Sequence, residues 1–274
     1  MQPISIVGAG ATSFAGELAD RLEGRIAIVE CEREVTDGGA AAPETTKTAT
    51  GEPETAISLA ADGSWAGSGT VDGLDDLLDG LAPDHDYLVA VGESRLRVPT
   101  VCLGGADPET VPGTVIASAE SAADVDLEAL VSAVDAAEPW VTRETLVRRV
   151  EGNADADRAG AIATFTGRVR ARDAPDDDRT THLAFEKYEG VAAERMDAIA
   201  AELSDRDGVF DVRMHHRTGV IEAGEDIVFV VVLAGHRREA FRTVEDGIDR
   251  LKDEVPIFKK ETTEAEEFWV HQRE

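Results

Sequence analysis

Two units of different class are predicted by the 274-residue chain: an α/β open-sheet domain over residues 1–138 and an α+β domain over residues 139–274. Three observations carry the prediction. The first half alternates short apolar runs with helical periodicity, as an open α/β sheet requires. The second half sets longer alternating strands around amphipathic helices, and Pro139 marks a boundary after the helical stretch DLEALVSAVDAA. A chain of this length suits two ordinary domains, each able to bury a core.

From the N-terminus, ISIVGAGATSFAGELADRL reads as a buried strand, a glycine-containing turn and a helix with Phe14, Leu18 and Leu22 on one face. RIAIVE is the second strand. Residues 36–56 carry Gly, Pro and Thr without apolar periodicity, and a mobile loop is expected there. VDGLDDLLDGL is a short helix, and DYLVAVG and VPTVCLGG are two further strands. The turn GAGATSFAGEL lies where a P-loop would sit. Counted from Gly8, however, the P-loop pattern needs Gly, Lys and Ser or Thr where Ser13, Phe14 and Ala15 stand, so the phosphate lysine is absent. A degenerate P-loop-like domain serving as scaffold or partner surface is expected. Dinucleotide binding is the alternative, with Gly8, Gly10 and the acid Glu30 about 20 residues on, although Ser13 replaces the third glycine.

In the second half TRETLVRRV is a short helix with Thr142 as N-cap, followed by the strand GAIATFTGRVR and the polar loop ARDAPDDDRT. HLAFEKY alternates as a half-buried strand, and GVAAERMDAIAAELSDR is an amphipathic helix. VFDVRMHHR and DIVFVVVL are strands; the latter is apolar on both faces and belongs in the centre of its sheet. A helix from Arg237 to about Glu254 places Phe241, Val244, Ile248 and Leu251 on a buried stripe.

Charge narrows the function classes. With 56 acidic and 27 basic side chains the formal charge is -29, which disfavours nucleic acid and anionic membrane as general partners. Adaptation to high salt, where a short Debye length screens carboxylate repulsion, accounts for the acids. It does not account for the bases: 21 of the 27 lie in residues 139–274, so an anionic ligand is expected there. Cys31 and Cys102 lack C-x-x-C spacing and read as small apolar residues in a reducing compartment, with no metal site indicated. No basic region precedes an apolar run, and none approaches the roughly 18 apolar residues that span a bilayer, so a cytoplasmic protein is expected.

Four segments of the second half carry candidate chemistry. In GHRREAF, His236 and Arg237 fall where the central strand turns into the long helix, so backbone N–H groups, the helix dipole and cationic side chains converge on one point. A histidine cap with solvated arginines is the structural alternative. In GRVRARD, Arg168, Arg170 and Arg172 alternate, so they are expected to project from one face of a strand end and clamp an anion or, alternatively, protect an edge. Lys252 and the run VPIFKKE put Lys259, Lys260 and Glu261 beside Val255, Ile257 and Phe258, an apolar setting expected to desolvate an amine in part. Three of the five lysines of the chain fall between residues 252 and 260. In MHHRTG, His215 and His216 point to opposite strand faces, which argues against a shared metal.

In this order and spacing, GAIATFTGRVR, FEKYEG, HHRTG, GHRREAF and LKDEVPIFKKE with FWV resemble the catalytic large subunit of molybdopterin synthase, the MoaE family, from about residue 140 onward. The resemblance implies an α/β hammerhead fold. It also implies transfer of sulfur to cyclic pyranopterin monophosphate, with no resident cofactor, from the C-terminal thiocarboxylate of a ubiquitin-like, MoaD-like small subunit ending in Gly-Gly. By match of motif, Lys252 and Lys259 fall on catalytic positions, and Arg168, Val169, Arg170, His236, Arg237, Lys260 and Glu261 on substrate-binding ones. A phosphate and a thiocarboxylate tail are both anions, so this basic set suits them. Phe258 stands where the family commonly has Trp, and residues 1–138 are an extension whose strand order, with DYLVAVGESRLRVPTVCLGG, resembles the nucleotide-binding MobB family with its signature lost.

Two consequences follow from the residues taken together with the resemblance. A desolvated Lys252 beside an activated acyl group is a competing nucleophile, so acylation of this lysine by the tail is expected as a side reaction. Arg237 and Lys252 lie 15 residues apart on one helix, roughly 22 Å at 1.5 Å per residue, which a small pterin cannot span. If both line one pocket, the halves come from different subunits, which implies a homodimer with composite sites and a heterotetramer with the small subunit. Gly247 is the one weak point at which the helix could kink instead.

Overall fold

The computed structural model describes residues 1–31, 55–71, 73–92, 96–172, 174–175, 177–187, 190–263 and 267–270. Residues 36–54 of the expected loop, and Tyr188 and Glu189 of FEKYEG, lie outside the described residues. The chain divides into two compact units, Met1–Trp140 and Val141–Glu274. Among the described residues no helix is long and apolar enough to cross a membrane.

The first unit is built on β1 (Gln2–Gly8), β2 (Ile26–Glu30), β5 (Tyr87–Val91), β6 (Thr100–Leu103) and β7 (Val115–Ala119), all parallel in the order β2-β5-β1-β6-β7. Helices α1 (Ala11–Ala19), α2 (Leu74–Leu81) and α3 (Leu127–Asp135) pack against it. Strands β1 and β5 are buried on both faces: Ile4, Ile6, Val89 and Val91 pack with Phe14, Leu18 and Leu130, while Leu88 and Ala90 pack with Leu78 of α2. Strand β7 and the exposed hairpin of β3 (Ala56–Leu59) and β4 (Trp65–Ser68) were not legible as elements: they are short, and rich in Ala, Ser and Gly.

This sheet corrects the dinucleotide alternative. Counted along the chain, its parallel strands stand in the order 2-3-1-4-5, whereas the dinucleotide-binding order begins 3-2-1 and sets the second strand beside the first. Here β5 intervenes, and Glu30 at the end of β2 is removed from β1 by about 10 Å, two strand spacings. Gly8 also has a packing cause. Its φ is +100°, and a Cβ there would lie 1.8 Å from the carbonyl oxygen of Leu103 on β6.

The second unit contains two antiparallel sheets. One, in the order β10-β12-β8, comprises β8 (Ala161–Arg168), β10 (Val209–His216) and β12 (Asp226–Ala234). The other, in the order β11-β9-β13-β14, comprises β9 (Thr180–Lys187), β11 (Gly219–Glu222), β13 (Ile257–Thr263) and β14 (Glu267–Val270). As its sequence predicts, β12 is central. Val228, Val230 and Val232 face α5 (Val191–Ser204) and α6 (Arg237–Glu254), while Phe229, Val231 and Leu233 pack with Leu146 and Val150 of α4 (Arg143–Glu151). Thr142 caps α4 in a reciprocal arrangement with Thr145.

Helix α6 differs from expectation at one residue. Its buried arc runs through Ala240, Thr243, Val244, Gly247, Ile248 and Leu251, and Phe241 stands outside it, 66% exposed. Gly247 provides close approach and no kink: the helix is continuous, and a Cβ there would lie 3.0 Å from both Met214 and Val230. Ion pairs clasp α5 and the turn after it to α6, with Glu202 meeting Arg250 (2.6 Å), Arg195 reaching Glu254 and Arg206 reaching Asp246, while Arg250 also pairs with Glu254 (2.7 Å) within α6.

Candidate active site

At the C-terminal end of α6, Pro256 follows the last turn and the chain enters β13, which pairs with β9. Residues directly opposite in an antiparallel pair share a face, so Lys259 stands with Phe185 and Glu261 with Leu183. That face is apolar: Leu183 and Phe185 cluster with Val169 and Ile221, all buried, and with Ile257 of β13 itself. Lys259 is therefore an amine on a hydrocarbon surface. Its Nζ lies 3.7 Å from Glu261 Oε2, with side-chain exposures of 37% and 17%. Glu261 Oε1 in turn accepts a hydrogen bond from Thr180 Oγ1.

Lys260 lies on the other face of the same strand, opposite Ala184, because side chains alternate along a strand. The structure thus separates it from Lys259 and Glu261, with which the sequence grouped it. Phe258 shares its face and is 48% exposed.

Lys252 occupies the last turn of α6, where a cation complements the helix dipole. Its Nζ lies 5.9 Å from the centroid of the Phe165 ring on β8, within cation–π range. Strand β8 ends at Arg168, whose Nε is 3.1 Å from Asp226 Oδ1 and whose guanidinium also donates to the Gly224 carbonyl. Val169 is buried. Its N–H donates to the Glu225 carbonyl (2.9 Å) and its C=O accepts from the Gly224 N–H (2.8 Å), so it pins the turn between two exposed arginines. The expected run of three on one face is cut short: Arg168 and Arg170 are exposed on either side of buried Val169, but the strand ends at Arg168, and Arg172 donates to the Pro175 carbonyl (3.2 Å) inside the loop.

His216 is buried and structural. Its ring meets Phe185 edge-on at 4.9 Å, and its Nδ1 is 2.7 Å from the Arg217 carbonyl oxygen. His236 is the N-cap residue of α6 in extended conformation, but its side chain makes no capping bond, so the simple cap reading does not hold. His236 and Arg237 are both exposed. They lie at the end of β12 that pairs with the start of β8, whereas Arg168, Lys252, Lys259 and Glu261 lie toward its other end, at Asp226 and the α6 C-terminus. Within one chain, the predicted residues fall into two groups separated by most of the length of α6.

Phe165, Asp226 and Thr180 were missed by sequence reasoning. Phe165 and Asp226 carry a readable signal, an aromatic in an inward strand position and an acid in a Gly-Glu-Asp turn. Thr180 has none, because its direction depends on strand register.

The chain is similar to several known proteins. The MoaE protein family model matches residues 136–254. A probable molybdopterin synthase of Haloferax volcanii is 56% identical over 279 residues, covering 100% of each chain. Molybdopterin synthase catalytic subunits of Pyrococcus abyssi and Bacillus subtilis are 39% and 35% identical, over 40% and 47% of this chain and 74% and 79% of their own. The solved molybdopterin synthase from Staphylococcus aureus aligns at a TM-score of 0.43 and 29% identity, covering 49% of this chain and 93% of that one. With a relative so similar along its whole length, the chain belongs to the MoaE family of molybdopterin synthase catalytic subunits.

Proposed function

We propose that this protein is the catalytic subunit of a molybdopterin synthase, a transferase of molybdenum cofactor biosynthesis, moving sulfur from the thiocarboxylate of a ubiquitin-like small subunit to cyclic pyranopterin monophosphate. The observation that carries the reading is the placement of Lys259, with its Glu261 partner, on an apolar sheet face close in sequence to Lys252 at the α6 C-terminus. A cationic amine on such a surface interacts more strongly with a developing anion than it would in water. Arg168 and Arg170 supply charge for the phosphate, and Lys252 stabilises charge developing on the thioester-like intermediate, in which the thiocarboxylate sulfur has bonded to the pterin and from which water releases the tail as a carboxylate, or moves protons in these steps. The alternative is a non-catalytic nucleotide-binding or assembly module that docks the small subunit through the same basic residues. Mixing the protein with thiocarboxylated small subunit and cyclic pyranopterin monophosphate, and measuring dithiolene formation for wild type and Lys252→Ala, tests the reading. Loss in the variant supports it; equal product from both excludes it.

The separation of His236 and Arg237 from Lys252 supports a homodimer in which each site draws on both chains, with one small subunit docked per site. An active monomer in solution would sink this. The first unit serves, in this reading, as scaffold or partner surface.

A further inference from the structure

We infer that Thr180 is a positioning residue of the reaction, acting through Glu261 on Lys259; the inference rests on the proposed role of Lys259. The geometry begins with an irregularity in the β9–β13 ladder. Register runs Glu261 to Leu183 and Thr262 to His182, but Thr263 then pairs with Thr180 and skips Thr181. Thr181 is thus the extra residue of a bulge. Its hydroxyl donates to the Thr262 carbonyl (3.0 Å), which latches the bulge in place.

The bulge decides which way Thr180 points. In an unbroken ladder Thr181 would oppose Thr263 on the face of Glu261, and Thr180 would project to the opposite side. The inserted residue returns Thr180 to the face of Lys259 and Glu261, where it is 5% exposed and donates its hydroxyl proton to Glu261 Oε1. Its own N–H is held by the Ala171 carbonyl (2.9 Å), so the hydroxyl is presented from a fixed backbone. One carboxylate oxygen is thereby engaged and the other, Oε2, faces Lys259 Nζ. An anchored carboxylate holds the amine in one direction, whereas a carboxylate free to rotate does not.

The test uses the full-length protein with thiocarboxylated small subunit and cyclic pyranopterin monophosphate. Single-turnover dithiolene formation is followed for wild type, Thr180→Val, Thr180→Ser, Lys259→Ala, Glu261→Gln and the Thr180→Val/Glu261→Gln double variant. Thr180→Val is expected to slow the step about tenfold, with unchanged half-saturation for the small subunit and unchanged thermal midpoint. Thr180→Ser, which keeps the donor, stays within about twofold of wild type, and Thr180→Val adds nothing to Glu261→Gln. A wild-type rate for Thr180→Val, with Lys259→Ala inactive, overturns the role of Thr180 and leaves that of Lys259 standing. Equal slowing by Val and Ser with a lowered midpoint also overturns it, reducing Thr180 to a structural residue. A wild-type rate for Lys259→Ala overturns the parent reading instead.

Discussion

The two ends of α6 hold cations in opposite ways. At the C-terminal end Lys252 meets the Phe165 ring, and β13 then carries Lys259 into contact with Glu261 on an apolar face. At the N-terminal end His236 and Arg237 are exposed, and the His236 side chain makes no cap bond. One end is organised by its own chain and the other presents its charge outward. A continuous helix of 18 residues, roughly 27 Å long, keeps them apart, so one small pocket of a single chain cannot hold both.

Mixing subunits is the strongest way to break this comparison. Lys252→Ala and Arg237→Ala homo-oligomers should each lose about 100-fold or more in dithiolene formation. Co-refolded in equal amounts, they should recover about a quarter of wild-type activity, since half of the dimers are mixed and each then holds one intact site. No recovery would return both residues to one chain's site.

The next largest effect separates the two faces of β13. Lys259→Ala should reduce the rate by about 30-fold, while Lys260→Ala, across the strand, should change it by less than about threefold. Equal losses would mean that the ligand wraps the sheet edge.

A smaller effect concerns the frame beneath the site. Arg250→Ala should lower unfolding stability in denaturant by about 1 kcal/mol through its pair with Glu254. The hydrogen bond and charge of Arg250 hold the Glu202 carboxyl below its usual range. A depressed folded-state pKa gives stability that is present above the unfolded carboxylate value and lost as pH falls through the folded one. Acid titration of stability should accordingly be flatter in Arg250→Ala than in wild type.

The smallest effect lies in the first unit and serves as a control, because no candidate site residue belongs to that unit. The hydrogen bond from Tyr87 to Asp135 pushes the phenol up to about 12. A raised folded-state pKa means stability is fully present below the unfolded value near 10 and lost as pH rises toward the folded one. Tyr87→Phe should remove that alkaline loss without altering dithiolene formation.

Much of the frame was legible in the sequence because local chemistry decides it. The apolar run DIVFVVVL can only be a central strand, Thr142 caps its helix, and the rise per residue alone separates Arg237 from Lys252. Reading Phe241 as buried failed because a helical stripe gives the direction of burial but not its limits; around the helix axis, Phe241 falls just beyond the edge of the packed arc at Ile248. Lys259 and Lys260 are neighbours in VPIFKKE but do not share a face, because β13 sends adjacent side chains to opposite sides.

By itself, the sequence determined the class of each unit, the family motifs and the concentration of positive charge in the second half, since composition and periodicity are properties of neighbouring residues. Tertiary structure alone decided which lysine shares a face with Glu261, and that a bulge at Thr181 turns Thr180 toward it. Register is a relation between strands far apart in the chain, and one inserted residue reverses the direction of every side chain beyond it.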